Sequence, residues 1–225
     1  MDDFPSVAFK IATGKIKSDR DWLKKKCAYL EAMWKRNGAK ILGKIEDACG
    51  DTFTNTSKRE GITVILHKRS PKDRSGALNS DNPLEINLFL AKSDTTNALK
   101  ERLIRMLVHS FIHQKYEFNF RVHEQTLFED ILADEYVTSL VSFAVLGRKL
   151  GRVNCEKALD EALDETVCRL SQKPVRNSLV DILYNFSQQP ASTSKGKKRK
   201  TDILEKREEL IIELLNFLPK NIRNN

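Results

Sequence analysis

The chain has 225 residues, 40% of them hydrophobic, enough to bury a core in one generous domain or one domain with an appendage. Its formal net charge is +8, but Lys and Arg are interspersed with Asp and Glu along most of the length, so charge alone does not impose a nucleic-acid role. Cys27, Cys49, Cys155 and Cys168 lack C-x-x-C spacing, the start M-D-D-F-P-S is acidic, and no apolar run nears the roughly 18 residues of a membrane span, so a cytoplasmic protein with reduced thiols and no membrane contact is expected.

In chain order, the first predicted element is a long helix from about Ser18 to Ala48. Ser18 or Asp19 can cap it, and Trp22, Leu23, Tyr29, Leu30, Met33, Trp34, Ile41, Leu42 and Ile45 recur near the helical period. Gly38 is a point at which it can break. Its polar face carries Lys24, Lys25, Lys26, Lys35 and Arg36, which reads as a solvated face, with phosphate binding as the alternative. The turn-forming run Cys49-Gly50-Asp51 should end it.

Gly61 to Lys68 is rich in β-branched residues and reads as a strand. Arg69 to Pro83, full of Ser, Pro, Asp, Asn and Gly, reads as a loop. A second strand follows from Leu84 to Ala91, with Leu84, Ile86, Leu88 and Leu90 alternating against Glu85, Asn87 and Phe89. His67 is expected to be an ordinary half-buried histidine.

A helix from about Thr95 to Gln114 carries the apolar stripe Leu99, Leu103, Met106, Leu107, Phe111 and Ile112, with His109 and His113 beside it. Arg102 and Arg105 precede them, and their long stems are expected to carry the charges away into solvent. The next helix, about Glu124 to Gly147, sets Glu129, Asp130, Asp134 and Glu135 among Ile131, Leu132, Val137, Leu140, Val141 and Phe143. Carboxylates in so apolar a segment need partners. A metal shared with two histidines is one such partner; an acidic stripe facing solvent is the other reading. Asp130 and Asp134 stand at i and i+4, so one can ligate while the other accepts a hydrogen bond from a histidine's second nitrogen.

Beyond Gly147 come a helix from about Asn154 to Leu170, capped by Asn154, and after Pro174 another marked by Leu179, Ile182, Leu183, Tyr184 and Phe186. Gln188 to Thr201 has the composition of a flexible linker that turns basic; Lys195, Lys197, Lys198, Arg199 and Lys200 can touch nucleic acid weakly, although a solvated tether is the plainer reading. In a last helix, Asp202 to Leu218, Leu204, Ile211 and Leu218 recur with Arg207, Leu210 and Leu214 between them, a stripe that must dock on the domain or on a partner. The expected organisation is a domain over 1–187, a linker over 188–201 and a C-terminal amphipathic helix over 202–225. The expected fold class is α+β, mostly helical, with a small β-sheet packed on long helices.

The chemistry centres on V-H-S-F-I-H-Q. On a helix of about 3.6 residues per turn, His109 and His113 share one face and both imidazoles can point at a single metal ion. The run is H-E-x-x-H with Ser110 where the glutamate of a metallopeptidase serves as general base. Imidazole and carboxylate ligands with an open fourth position suit zinc.

From about Trp22 to Gly147 the order of elements resembles that of zincin metallopeptidases, particularly the small gluzincin-like ones called minigluzincins. The likeness runs through a long helix with Trp34, a strand, a polar loop passing N-P-L into a second strand, the helix with V-H-S-F-I-H-Q, and an acid-bearing helix. The resemblance implies a zinc peptidase scaffold acting on peptides or proteins, with a third ligand on the acid helix. The pattern E-x-x-A-D-x-x-A of one such group resembles Asp130-x-x-Ala133-Asp134-x-x-Val137, which makes Asp130 the third ligand and Asp134 the residue supporting the ligands from behind. This chain departs from the pattern at Ser110, in place of the catalytic Glu, and at Asp130, in place of a Glu ligand, with Glu129 beside it as an alternative. His123, in R-V-H-E-Q, is a further candidate. Two functions compete: a zinc-dependent metallopeptidase-like protein that is catalytically impaired at Ser110, natural or engineered, and a non-enzymatic module that holds protein or nucleic acid with a structural metal or none.

Overall fold

The computed structural model describes residues 4–12, 17–70, 76–79, 82–115, 128–165, 173–188 and 203–222, with 17–20, 128–130, 161, 164–165, 173, 203–205, 215 and 218–222 described by backbone alone. The elements run β1 (Val7–Ile11), α1 (Lys17–Cys49), α2 (Asn55–Glu60), β2 (Ile62–Lys68), β3 (Gly76–Asn79), β4 (Asn82–Leu90), α3 (Thr96–Lys115), α4 (Phe128–Val145), α5 (Arg152–Glu165), α6 (Lys173–Gln188) and α7 (Ile203–Ile222). The fold is α+β and mostly helical, with one small sheet packed against helices. Two compact units form, Met1–Glu46 with Thr52–Glu117, and Asp47–Asp51 with Phe118–Asn225.

The first unit is built on the alternation in β2 and β4. Ile62, Val64 and Leu66 lie fully shielded on one sheet face beside Ile86, Leu88 and Leu90, while Thr63, Ile65, His67, Glu85, Asn87 and Phe89 on the other face are half-buried. The strand order is β1-β2-β4-β3, with β1 parallel to β2, β2 parallel to β4, and β3 antiparallel to β4. Register puts Val7, Phe9 and Ile11 opposite Ile62, Val64 and Leu66, so the apolar side of β1 joins the buried face. Phe9 meets the Trp34 ring of α1 edge-on at 6.3 Å. At the other edge a Cβ on Gly76 would come within 2.8 Å of the Met106 side chain, so a larger residue there would require that flexible side chain to shift. His67 is half-buried as expected, bonded to Asn87 at 2.7 Å and stacked on Phe89.

Several expectations are corrected. The first ordered element is β1 rather than the long helix, and a short helix, α2, precedes β2. The stretch from Arg69 to Pro83 contains β3, whose four residues become a strand because β4 offers them a free edge. Gly38 does not interrupt α1: the Trp34 indole lies across it, where a Cβ would sit 2.7 Å from the ring, and the helix runs through. Asn154 does not cap α5; it stands inside the first turn, its N–H bonded to the Gly151 carbonyl.

The second unit is helical. Leu132, Val137, Val141 and Val145 of α4, Cys155, Ala158, Leu159 and Ala162 of α5, Leu179, Val180 and Leu183 of α6, and Leu210 and Leu214 of α7 are buried. Tyr136 packs edge-on against Phe186 at 6.3 Å. Pro174 occupies the first turn of α6, where its missing N–H breaks no helical bond. No helix among the described residues is long and apolar enough to cross a membrane. Residues 189–202, which hold the predicted linker and its basic run, lie outside the described residues.

Candidate metal-pair site on the third helix

The helix α3 starts at a compact knot. Asp94 accepts the Ala91 N–H at 2.8 Å and pairs with Arg102 at 2.7 Å, and the same guanidinium donates to the Phe89 carbonyl at 3.0 Å. Burial pushes the Asp94 carboxyl upward, but the bonds from Arg102 and Ala91 with the charges of Arg102 and Arg69 outweigh it, and the group titrates below its ordinary value of 3.8. Arg102 therefore does not reach into solvent as expected. Its side chain is 11% exposed, because a carboxylate and a carbonyl at the sheet edge are within its reach.

Two turns further along, His109 and His113 stand on the half-exposed side of α3, their ring centroids 4.5 Å apart and their planes at 71°. One helical face brings both imidazoles together.

Ser110, about 60° to 100° round the helix from the two histidines, is buried with no exposure. Its hydroxyl donates to the Pro83 carbonyl of β4 at 2.5 Å and accepts from the Gln114 amide at 2.9 Å. The Gln114 oxygen in turn accepts from the Thr54 hydroxyl at 3.1 Å, and that hydroxyl also receives the Ser57 N–H as the cap of α2. Phe53 meets Phe111 edge-on at 4.8 Å beside this chain. Ser110 thus clasps α3 to β4 and, through Gln114, to α2. Gln114 and Thr54 were not among the sequence candidates. The i, i+4 spacing of Ser110 and Gln114 was a usable signal; nothing local pointed to Pro83 or Thr54.

Of the acids on α4, Asp134 and Glu135 are each 5% exposed, which overturns the reading of a solvent-facing stripe for these two. Asp134 takes a partner from α7: the Arg207 Nε donates to its carboxylate at 2.6 Å. The apolar stripe of α7 docks with it, through Leu210 and Leu214. The side chains of Glu129 and Asp130, and His123 altogether, lie outside the described residues. Among the described residues no group of three or more His, Cys, Asp and Glu comes together to hold a metal ion.

Cys27, Cys49 and Cys155 are free and buried. Burial above all pushes their thiols up to about 11, 12 and 11, so none is a nucleophile near neutral pH. Cys168 lies outside the described residues.

No family model, curated protein or solved structure matches the chain.

Proposed function

We propose that this chain is a metallopeptidase-like protein of the zincin type that has no effective peptidase activity, with His109 and His113 as the imidazole pair of a zinc site and Asp130, or Glu129 or His123, as the third ligand. Bound there, zinc would polarise a peptide carbonyl and activate a water. The observation that carries the reading of inactivity is the state of Ser110. Its proton is committed to the Pro83 carbonyl, its oxygen accepts from Gln114, and a hydroxyl is far too weak a base to take a proton near neutral pH. General acid–base assistance is worth about 100- to 10,000-fold, and nothing at position 110 supplies it. Peptides or proteins are then ligands rather than substrates. The buried free thiols support a reducing compartment, and we assign the protein to the cytoplasm.

The test is metal analysis of the full chain expressed with zinc available. About one zinc per chain is expected, lost in His109→Ala and in His113→Ala, with Asp130→Ala weakening binding more than Glu135→Ala. Incubation with a peptide library, with and without chelator, should give no new termini. A chain free of zinc removes the metallopeptidase-like reading and leaves a non-enzymatic binding module, an alternative that the Asp134–Arg207 pair favours because it supplies that buried carboxylate with a partner that is not a metal.

A further inference from the structure

Among the described residues, arginine–carboxylate pairs are spread over the chain and include Arg59 with Glu60, Arg102 with Asp94, Arg152 with Asp181, Arg176 with Asp160 and Arg207 with Asp134. Five cations of α1 are placed differently. Lys24, Lys25, Lys35, Arg36 and Lys40 are all exposed, and among the described residues none of the five has a carboxylate partner. Between Lys24 and Lys40 the sequence contains one acid, Glu31, and it accepts from the Cys27 thiol. Arg36 turns its Nε back to the Ala32 carbonyl at 3.1 Å.

The helical period sorts these charges into two rows. Lys24 and Lys35 run along one flank, and Lys25, Arg36 and Lys40 along the other. The crest between them carries Ala28, Ala32 and Ala39, with Asp21 at its N-terminal end, all exposed. Lys25 and Arg36 are roughly 16 Å apart along the axis, and Arg36 and Lys40 roughly 6 Å. Leu23, Leu30, Met33, Ile41, Leu42 and Ile45 are buried, so the rows sit on a helix fixed by its core side.

We propose that this face of α1 binds the phosphate backbone of duplex nucleic acid without reading its sequence. Two cationic rows separated by a low crest can reach phosphates on both sides of a groove about 12 Å wide, and alanine methyls offer base edges no hydrogen bonds. Neutralising phosphates releases condensed counterions, and this supplies the affinity. The inference is independent of the zinc reading. It also differs from a contact made by the run Lys195 to Lys200, which by itself would be a tether touching any polyanion.

The experiment uses the full chain and a fluorescein-labelled DNA duplex of arbitrary sequence, titrated by anisotropy over a series of salt concentrations. Three proteins are compared: wild type, the triple variant Lys25→Gln/Arg36→Gln/Lys40→Gln, and a variant with Lys195, Lys197, Lys198, Arg199 and Lys200 changed to Gln. The α1 variant should lose about tenfold or more in affinity at low salt and flatten the slope of log K against log salt by about 2 to 3, since each phosphate contact contributes about 0.9. Lys25→Arg/Lys40→Arg should bind like wild type, and an unlabelled duplex of unrelated sequence should compete equally. Circular dichroism of the variants should match wild type, because the altered side chains are exposed. Wild-type affinity and slope in the α1 variant, with the whole loss in the tail variant, would overturn the proposal. So would equal or tighter binding to anionic phospholipid vesicles, which would make the face a membrane-surface contact.

Discussion

Asp94–Arg102 in the first unit and Asp134–Arg207 in the second are shielded to nearly the same degree, with side-chain exposures of 12% and 11% against 8% and 13%. They differ in the chain they span. Asp94 and Arg102 are eight residues apart, and backbone groups at Ala91 and Phe89 share the load, so the pair staples one end of a helix that its own apolar stripe already seats. Asp134 and Arg207 are 73 residues apart and join two helices; their pairing specifies where α7 docks. A buried pair within one turn-and-helix refines local geometry, whereas one across a unit is a condition of assembly. The cost of breaking each should scale accordingly.

The largest effect is expected from Arg207→Ala. It leaves the Asp134 carboxylate buried without that guanidinium, and losing one partner of a buried pair costs about 3–5 kcal/mol. Urea unfolding should show the loss and limited proteolysis should cut α7 early, whereas Asp134→Leu/Arg207→Met should recover most of the stability. A single variant as stable as wild type would show that Leu210 and Leu214 alone seat the helix.

Ser110 is the neutral counterpart, a clasp over 27 residues. Ser110→Ala strands the Pro83 carbonyl and the Gln114 amide and should cost about 1–3 kcal/mol. Ser110→Glu should be worse, since it sets a carboxylate against a carbonyl in a site with no exposure, and it should not create peptidase activity. Zinc-dependent cleavage by a stably folded Ser110→Glu protein would show that the clasp can be replaced by a working base.

Asp94 predicts a smaller effect confined to acid. Its folded pKa lies below the unfolded value, so its contribution is fully present above about pH 4 and is lost as pH falls through the folded value. Asp94→Asn should lower stability at neutral pH and remove that share of the acid sensitivity. Identical acid unfolding profiles for the two proteins would mean that the staple has no net electrostatic value.

The smallest expected signal is chemical. Cys27, Cys49 and Cys155 should react with a thiol reagent at neutral pH only as fast as their surroundings open, and labelling should accelerate on unfolding. Fast labelling of Cys155 in Arg207→Ala, but not in Asp94→Asn, would separate the long-range pair from the local one in a single measurement.

What the sequence determined by itself is the set of elements whose patterns are local. The alternation in Asn82–Leu90, the stripe on Thr96–Lys115 and the shared face of His109 and His113 follow from a period of two or of about 3.6 residues, and the β-branched content of Ile62–Lys68 marks it as a strand. The amphipathic stripe of the last helix was equally legible, but its seat was not. Tertiary structure alone decided that Val7–Ile11 and Gly76–Asn79 are strands, because each is a short segment completed by hydrogen bonds to a neighbour. It also decided that Arg102 turns to Asp94, that Ser110 answers to Pro83 and Gln114, and that Asp134 answers to Arg207. A polar group leaving water takes whichever donor or acceptor the assembled fold brings within about 3 Å, and that partner is fixed by proximity in space rather than by any spacing along the chain.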